Sequence, residues 1–389
     1  KYLEEGGQID AIYTDFEKAF DKVPHKRLIK KLSAYSIDNK ILKWIESFLF
    51  KRKQRVKING KYSEWTDVLS GIPQGSILGP LLFVIYINDL PSLCKDFGDI
   101  FLFADDAKIF RHINSRSDQE VLQEGCVALQ TWSDIWLLKL NIDKCKVLSI
   151  RHTGTPIDYD YSLSNTNLEH VETMKDLGII IDSKLKFNEH ISEKINKAYR
   201  TLGLIKRNFN NMNKFTLILL YKSLVRSQLE YANCVRTPHN KSLIKDLEKV
   251  QKRATKLVKQ CRGMSYNERL KFLNLPTLVF RRHRGDMIEV YKILSGKYES
   301  DIVPHLQRNN NSNTRGNSYK LSINRTKYNI RKYSFTNRIV NLWNSLPNDI
   351  VLSDNINIFK NRLDKFWSTQ EILFNYTATF TDNGVKITL

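Results

Sequence analysis

The chain contains 389 residues, and 62 Lys and Arg against 41 Asp and Glu give it a formal net charge of +21. Such an excess attracts phosphate and predicts a nucleic-acid partner. The most apolar stretch, residues 77–87, contains Pro80 and is followed by Asn88-Asp89. It is well short of the roughly 20 residues of a membrane-spanning helix, so no membrane partner is expected.

The first third of the chain alternates between strand-like and helix-like segments. Residues 9–14 have a strand-like composition and end at Asp15, and Asn59-Gly60 joins two predicted strands, residues 54–58 and 62–65. Helices are predicted where a start signal precedes an apolar stripe. In the first helix the start signal is Pro24 and the stripe is Leu28, Ile29 and Leu32. In the second the signal is Asp38 and the stripe is Leu42, Ile45 and Leu49. In the third the signal is a capping box of Ser117 and Glu120, and the stripe is Leu122, Cys126 and Leu129.

A glycine- and proline-rich loop follows these elements. Its sequence is Gly71-Ile72-Pro73-Gln74-Gly75-Ser76-Ile77-Leu78-Gly79-Pro80. Glycines let backbone approach a ligand closely, so the loop is a candidate binding segment. It lacks the Gly-Lys-Ser/Thr ending of a phosphate-binding P-loop, and an ATPase is therefore not indicated.

Two adjacent carboxylates follow the next apolar run. Residues 100–103 are apolar, Asp105-Asp106 come next, and the apolar pattern resumes at Ile109-Phe110, which predicts two strands joined by a tight acidic turn. Taken alone, such a pair is more typical of a solvated turn. Together with Asp15, it predicts a divalent-metal site, because Mg²⁺ binds carboxylate oxygens and a polymerase-type site needs acids from more than one segment.

From about residue 187 onward the apolar period becomes helical. One predicted helix buries Ile191, Ile195, Ala198, Leu202 and Ile205, and a second, within residues 240–260, buries Leu243, Leu247, Val250, Ala254 and Leu257. Their remaining faces are basic, and such faces are either merely solvated or grip a nucleic-acid duplex. Arg281, Arg282 and Arg284 lie so close in sequence that they favour a nearby anion.

The last part of the chain has weaker patterns. Residues 307–328 are rich in Asn, Ser and Arg and predict a linker. A short helical unit follows, with Ile339, Leu342, Trp343 and Leu346 ending at Pro347 and a further helix over residues 358–367. Residues 376–389 alternate like a hairpin around Asn383-Gly384.

Several of these segments, in this order, resemble reverse transcriptases of the non-LTR (LINE-type, jockey-like) retrotransposon branch. Residues 15–21, 71–90 and 103–106 resemble the first three palm motifs. Leu140-Asn141-Ile142-Asp143-Lys144-Cys145 is similar to the fourth motif, and Lys175-Asp176-Leu177-Gly178-Ile179 is similar to the fifth, the primer-grip region. Residues 220–226 and 247–255 look like the thumb of that branch, so the resemblance extends from residue 9 to about residue 366.

The resemblance implies roles for individual residues. Asp15 and Asp105 would bridge two Mg²⁺ ions, or Mn²⁺, with Asp106 as a weaker ligand and Phe16 contributing its backbone carbonyl. The expected nucleotide-binding residues are Phe20, as an aromatic gate against the sugar 2′-hydroxyl or else a core aromatic, Gln74 and Gly75 around the nascent base pair, and Lys144, as a pyrophosphate contact or a solvated side chain. Leu177 and Gly178 would form the primer grip. The expected nucleic-acid contacts are Lys194, Lys197, Arg200, Lys245, Lys249, Lys252, Arg253, Lys256, Arg281, Arg282 and Arg284.

The chain departs from the family pattern in two places. It starts at Lys1, a few residues before the first palm strand, whereas the family has a fingers region and usually an endonuclease domain upstream. Fingers supply basic residues that hold the incoming triphosphate, so turnover by this fragment alone is in question. Arg236 stands where the family more often has Trp, which suggests sequence drift or a decayed copy.

We therefore predict an α+β fold of four parts: a right-hand polymerase palm with an antiparallel sheet and truncated fingers (residues 1–185), an all-helical thumb (186–306), a polar basic linker (307–334) and a helical and hairpin appendage (335–389). The expected activity is RNA-directed DNA polymerisation, which extends a DNA primer on an RNA template with deoxynucleoside triphosphates. The five cysteines lack Cys-x-x-Cys spacing, which predicts free thiols and no zinc knuckle. We expect an intracellular protein that acts in the nucleus, with particle assembly in the cytoplasm.

Two alternatives remain at this point. The chain is either a non-catalytic nucleic-acid-binding remnant, in which the acids persist without activity, or a nucleotidyl cyclase or other palm-containing enzyme. The second alternative explains the acids but not the basic helices. Metal-dependent primer extension distinguishes a polymerase from a remnant, and dependence on a template distinguishes it from a cyclase.

Overall fold

The computed structural model describes residues 2–4, 6–152, 156–209, 211–309, 317–382 and 385–387. These residues form two compact units, residues 1–174 with 182–184 and residues 175–181 with 185–389. The first unit contains a mixed sheet flanked by helices and the second is mainly helical, which confirms the predicted α+β class. Within the described residues, no helix is both long and apolar enough to cross a membrane.

The first unit contains most of the strands. Its strands are β1 Gln8–Thr14, β2 Lys53–Gln54, β3 Lys57–Ile58, β4 Lys61–Tyr62, β5 Thr66–Asp67, β6 Asp99–Phe103, β7 Asp106–Ile113, β8 Lys146–Arg151, β9 Ser162–Leu163, β10 Thr166–Asn167 and β11 Glu169–His170, and β12 Thr173–Asp176 begins in it. Its helices are α1 Ala19–Lys22, α2 His25–Ala34, α3 Asn39–Leu49, α4 Leu78–Ile87, α5 Leu90–Cys94 and α6 Arg116–Trp136, with 3₁₀ turns at Tyr2–Glu4 and Ile142–Lys144.

A five-stranded sheet in the order β11-β8-β1-β7-β6 organises this unit. Its central strand, β1, pairs antiparallel with β7 on one side and with β8 on the other. Such a strand is hydrogen-bonded along both edges, and its apolar residues Ala11, Ile12 and Tyr13 are buried. The predicted strands on either side of the acidic turn are confirmed as β6 and β7, and Asn59-Gly60 connects the paired strands β3 and β4.

A buried polar network fixes β1 against its surroundings. The Asp10 carboxylate accepts hydrogen bonds from Gln8 Nε2 at 2.7 Å, from Tyr161 Oη at 2.8 Å and from Gln119 Nε2 at 3.2 Å. Buried carboxylates are costly unless they are hydrogen-bonded, and Asp10 satisfies this condition with three donors. Because Gln119 lies on α6, the network joins the central strand to the longest helix of the unit.

The helices of the first unit follow the sequence pattern with small shifts at their ends. The apolar positions Leu28, Leu32, Leu42, Ile45 and Leu49 are buried as predicted, and Asp38 caps α3 by accepting from Lys40 N. Pro24 is the residue before α2 rather than its first position. The predicted capping box of Ser117 and Glu120 is wrong: Ser115 and Asp118 form the box, because α6 begins at Arg116.

The second unit is helical. Its helices are α7 Asn188–Asn208, α8 Lys214–Leu220, a π-helix at Tyr221–Arg226, α9 Ser227–Glu230, α10 Asn233–Arg236, α11 Lys241–Thr255, α12 Tyr266–Leu273, α13 Leu278–Leu294, α14 Asn329–Lys332, α15 Phe335–Arg338, α16 Val340–Asn344, α17 Asn348–Val351 and α18 Ile356–Phe366. Short 3₁₀ turns occur at Lys259–Cys261, Ser300–Ile302 and Glu371–Leu373, and the strands are β13 Ile179–Asp182, β14 Thr381–Asp382 and β15 Val385–Lys386.

The predicted apolar stripe of α7 is confirmed, and that of α11 is confirmed for Leu247, Val250 and Ala254, whereas Leu243 and Leu257 are only partly buried. The five apolar residues of α7 are all buried, and Leu247, Val250 and Ala254 of α11 pack with them in one core cluster. The two helices therefore associate through these stripes and leave most of their basic residues on other faces. Arg236, the departure from the family pattern, is also buried, and its guanidinium donates to the carbonyls of Leu229 and Tyr231.

The predicted linker and appendage are not independent of the thumb. Val279, Phe280 and Met287 of α13 share one apolar core with Trp343 of α16 and with Leu321, which lies in the predicted linker. Another linker residue, Asn317, is buried and donates to the carbonyls of Trp343 and Leu346.

The linker prediction is thus wrong for residues 317–322. This segment packs against the core with few apolar side chains, because its polar side chains hydrogen-bond to backbone groups. Residues 310–316 of the predicted linker lie outside the described residues. In the tail, β14 and β15 pair as the predicted hairpin, and its turn at Asn383-Gly384 also lies outside the described residues.

Candidate active site

The three predicted metal-binding acids lie at one end of the central strands. In the β1–β7 register Thr14 faces Ala107, so Asp15 and Asp106 occupy the next facing positions. Facing residues of antiparallel strands have Cα atoms about 4.5–5.5 Å apart. Phe103 pairs with Asp106 across the tight turn, which places Asp105 in the turn itself, directly after Ala104 with its φ of 53°.

The environment of Asp15 favours a cation. Its Oδ2 atom is buried and accepts no hydrogen bond within the described part of the chain, and the Lys144 Nζ atom lies 3.3 Å from it. Lys144 is on the 3₁₀ turn Ile142–Lys144, not on a strand, and its side chain is largely exposed. A buried carboxylate oxygen that accepts no hydrogen bond is suited to a divalent cation. Further carboxylates at neighbouring backbone positions add possible ligands. Among the described residues, however, no group of three His, Cys, Asp or Glu side chains has a metal-binding arrangement.

The backbone around Asp15 is anchored from a different segment. The Asp15 carbonyl accepts from Asn141 N at 2.7 Å, and Glu17 N donates to the Lys139 carbonyl at 2.8 Å. Phe16, between them, forms an isolated antiparallel bridge with Leu140, and its ring is buried in the core. Contacts with the fourth predicted motif therefore fix the position of the end of β1.

Phe20, Gln74 and Gly75 lie near the glycine-rich loop. The Phe20 ring stacks on the Phe83 ring of α4, with centroids 4.4 Å apart, and is partly buried. Gln74 Nε2 donates to Asp21 Oδ1 at 2.9 Å, so the loop is tied to the segment after β1. Gly75 has a φ of +83°, and a Cβ atom there would have open space. The backbone conformation, which side chains disfavour, therefore accounts for glycine at position 75 in this structure.

A cavity of about 710 Å³ beside this loop contains residues that the sequence analysis missed. Lys18, Arg52 and Lys53 line it together with Asp21 and Gln74. Arg52 Nη2 donates to the Gly71 carbonyl at 2.6 Å, so one of these cations is fixed against the loop. The run Lys51-Arg52-Lys53, which leads into β2, was the available sequence signal.

The predicted primer-grip residues form the turn between β12 and β13, with positive φ at both Leu177 and Gly178. The Leu177 carbonyl accepts from Tyr231 Oη at 2.6 Å, and the Gly178 carbonyl accepts from Lys194 Nζ at 3.1 Å. His190 Nδ1 accepts from Ile180 N, and burial lowers the pKa of His190 to about 4, which keeps the ring a neutral acceptor. The shape of the turn is thus determined by side chains of the second unit.

The basic residues predicted to contact nucleic acid fall into two groups: those exposed to solvent and those whose side chains bond to other groups of the protein. The exposed ones are Lys197 and Arg200 of α7 and Lys245, Lys249, Lys252, Arg253 and Lys256 in and just after α11. The Arg253 guanidinium lies over the Tyr199 ring, 5.5 Å from its centroid, so basic residues of α7 and α11 lie on adjoining surfaces.

Lys194, by contrast, is buried against the Gly178 carbonyl and does not belong to an exposed face. Its predicted nucleic-acid contact is not supported by this structure.

Two of the three arginines of α13 form ion pairs within the protein. Arg281 forms an ion pair with Glu230, and Arg284 forms a bidentate pair with Asp364 at 2.5 and 2.7 Å. The predicted anion near these two residues is a protein carboxylate in this structure, and the nucleic-acid contact of either side chain stays a prediction. Arg282 has a different environment because it is buried.

Comparisons with known proteins show similarity to reverse transcriptases. A family model described as reverse transcriptase (RNA-dependent DNA polymerase) matches residues 4–181. The RNA-directed DNA polymerase from mobile element jockey of Drosophila melanogaster is 30% identical over 231 residues, which are 56% of this chain and 25% of that protein. The probable RNA-directed DNA polymerase from transposon BS of the same species is 28% identical over 227 residues, 54% of this chain and 24% of that protein.

The chain spans about a quarter of the length of these curated relatives. Among solved structures, apo telomerase from Candida Tropicalis is similar over 69% of this chain and 45% of that chain, with 12% identity and a TM-score of 0.36. A TM-score this low does not define the fold.

Proposed function

We propose that this chain, which belongs to the reverse transcriptase family in its non-LTR retrotransposon branch, carries the palm and thumb of an RNA-directed DNA polymerase. It extends a DNA primer on an RNA template, with deoxynucleoside triphosphates as substrates. The observation that carries this proposal is the strand register: Thr14 faces Ala107, so Asp15 and Asp106 follow at the next facing positions, and Asp105 precedes Asp106 in the tight turn. A retrotransposon polymerase would act in the nucleus, and its particle would assemble in the cytoplasm.

Polymerases of this family use divalent metal ions. Here Asp15, Asp105 and Asp106, with the Phe16 backbone carbonyl, would hold two Mg²⁺ ions, or Mn²⁺ in their place. Bound there, the metal would make the primer 3′-hydroxyl a better nucleophile and neutralise charge on the leaving pyrophosphate. The Asp15 Oδ2 atom supports this assignment, because it is a buried oxygen that accepts no hydrogen bond among the described residues and has the Lys144 ammonium group beside it.

The side chains around the acids would position the nucleotide. Lys144, close to Asp15 and largely exposed, can turn from the carboxylate to a phosphate of the incoming nucleotide. Lys18 and Lys53, in the cavity beside the glycine-rich loop, add positive charge where a triphosphate would lie. Gln74 and Gly75 would line the pocket for the nascent base pair, and Gln74 would exchange its bond to Asp21 for a contact with the substrate.

The second unit would bind the template and primer. The exposed lysines and arginines of α7 and α11 form a positive surface suited to phosphate contacts. The turn at Leu177 and Gly178 would contact the primer end, and Tyr231 and Lys194 would hold its backbone in shape. Lys194 would thus act through the turn and not by touching nucleic acid.

Changing Phe20 to Val is expected to raise ribonucleotide incorporation relative to deoxyribonucleotide incorporation by roughly tenfold, if the ring excludes the 2′-hydroxyl. Single-nucleotide extension with matched ribo- and deoxyribonucleotides measures this ratio. Phe83→Leu is the matched control, since it removes the stacking partner and leaves the Phe20 ring in place. An unchanged ratio in Phe20→Val, or an equal change in Phe83→Leu, would make Phe20 a core aromatic only.

A non-catalytic nucleic-acid-binding remnant is the second candidate. One observation favours it: the described residues contain no group of three metal-binding side chains arranged around a common point. In this alternative the basic faces of α7 and α11 would still bind nucleic acid, and the acids would have no role.

Template-directed primer extension separates the two candidates. A labelled DNA primer annealed to RNA is incubated with Mg²⁺ and deoxynucleoside triphosphates, and the same reaction with EDTA and the same primer without template are the controls. The assay uses the chain itself and a form that carries a fingers segment before Lys1. Extension that needs both metal and template supports the polymerase, whereas duplex binding without extension by either form would support the remnant.

A further inference from the structure

A cavity of about 690 Å³ lies wholly within the second unit. It is bordered by the first turns of α11 and α13 and by residues 372–379. None of the described residues that line it is acidic, whereas four are Lys or Arg and two are His. The charge of the lining side chains therefore favours an anion here. The volume is in the range of pockets that hold small ligands.

Arg282 is the central feature of this cavity. Its side chain lines the cavity, and the residue is only 4% exposed. Its Nη2 atom is fully buried and has no hydrogen-bond partner within the described part of the chain. Burial lowers the pKa of Arg282 to about 10, so the side chain stays charged at neutral pH. A buried charge without a hydrogen-bonded partner is costly, and a bound anion would remove that cost.

The nearby carboxylates do not fill this role. Glu248 accepts hydrogen bonds from Tyr266 Oη at 2.6 Å and from Leu278 N at 3.1 Å. Asp286 is occupied by a bidentate pair with Arg338, at 2.9 and 3.0 Å. Both acids attract Arg282 through space, but their oxygens bond to other groups. The Nη2 atom of Arg282 therefore has no hydrogen-bonded carboxylate partner among the described residues, and an anion in the cavity would offset the positive charge of the guanidinium.

The remaining walls suit a nucleotide better than a simple anion. The His239 and Tyr333 rings line the cavity and stack on each other, with centroids 4.5 Å apart and planes 2° from parallel. Tyr376 contributes a third ring to the cavity wall. Lys241 and Lys245 also line the cavity and are exposed to solvent. Aromatic faces stack on bases without sequence preference, and guanidinium groups bind phosphate with two parallel hydrogen bonds.

We propose that this cavity binds a nucleotide through its phosphate group, with Arg282 as the buried ligand and Lys241 and Lys245 at the entrance. The aromatic rings contact the base. The bound group is a phosphate monoester, from either a free nucleoside monophosphate or the 5′-phosphate end of a strand. The proposal does not depend on polymerase activity, because all of the lining residues belong to the second unit.

Isothermal titration calorimetry with adenosine 5′-monophosphate, in EDTA and without primer or template, tests this site. We expect saturable binding by the wild-type chain, and binding about tenfold weaker in Lys241→Gln/Lys245→Gln. Lys360→Gln/Lys365→Gln is the matched control, since it removes the same two charges from α18, outside the cavity. The control should bind like the wild type.

Arg282→Gln is expected to abolish binding, and its helical circular-dichroism signal shows whether it folds. Because Arg282 is buried, the exposed Lys241 and Lys245 variants keep the test valid if Arg282→Gln does not fold. Adenosine without phosphate, and inorganic phosphate without a base, should each bind at least about tenfold more weakly than the monophosphate. A 5′-phosphorylated dinucleotide that outcompetes the monophosphate would identify a strand end as the source, and the reverse order would identify a free nucleotide.

Three results would overturn the proposal. They are no saturable binding by the folded wild-type chain, equal losses in the two double-lysine variants, and wild-type affinity in a folded Arg282→Gln protein. Because metal and template are absent from this assay, its failure would leave the polymerase proposal untouched. A failure of primer extension would likewise leave the cavity proposal intact.

Discussion

Replacing Asp105 with Asn is expected to lower primer extension about a thousandfold, which corresponds to about 4 kcal/mol of transition-state stabilisation. Asn keeps the size of the side chain and removes the charge that would hold a divalent cation. Asp105 is in the tight turn between β6 and β7, so the substitution leaves the pairing of the two strands in place. Duplex binding, which we propose to depend on basic residues of the second unit, should stay within about twofold of wild type.

The measurement compares steady-state extension with duplex affinity from fluorescence anisotropy, in a protein that carries a fingers segment before Lys1. Asp99→Asn is the matched control, because Asp99 is an exposed acid at the opposite end of β6. It removes the same charge from the same strand and should extend primers normally. Extension by Asp105→Asn within a few-fold of wild type, or an equal loss in Asp99→Asn, would reject the metal-site assignment.

Changing Lys249, Lys252 and Lys256 together to Gln is expected to flatten the salt dependence of duplex binding by about two units of slope. Each phosphate contact releases condensed counterions, so each lost contact reduces the slope of log affinity against log salt by roughly 0.7–0.9. All three residues are exposed, and Lys249 also pairs with Asp246 at 2.7 Å, which weakens its hold on phosphate. The affinity should fall similarly for every nucleic-acid sequence, because phosphates carry no sequence information.

The control for this variant is the triple change of Lys297, Lys360 and Lys365 to Gln, which removes equal charge from other parts of the same unit. Gln is nearly as good a helix former as Lys, so α11 should keep its circular-dichroism signal. If the α11 variant has the same slope of log affinity against log salt as the wild type, this face of the helix is only solvated. An equal change in the control would mean that overall charge, and not this face, determines binding.

Sequence patterns predicted the elements that depend on neighbours in the chain. The alternation of residues 9–14 identified β1, and steps of three and four identified the buried stripes of α7 and α11. The tight turn with Asp105 was also predicted, because turn residues act over a few positions. Periodicity indicates which face is buried but not which partner covers it.

Contacts between distant segments were beyond that reasoning. Arg281 pairs with Glu230, 51 positions away, and Arg284 pairs with Asp364, 80 positions away. Both residues were therefore assigned to nucleic acid when protein carboxylates are their partners. The cavity residues Lys18 and Arg52 were missed for the same reason, since only the folded chain brings them beside Gln74.

The central position of β1 has a consequence for how the first unit moves. Strands bonded along both edges open only when the surrounding sheet opens, so their amides exchange with solvent more slowly than those of edge strands or loops. Asp15 continues directly from β1 and is tied to Asn141 by its own carbonyl, whereas Gln74 lies in the glycine-rich loop. Any rearrangement that admits and releases a substrate would therefore occur around a stationary carboxylate, with the glycine-rich loop as the moving part.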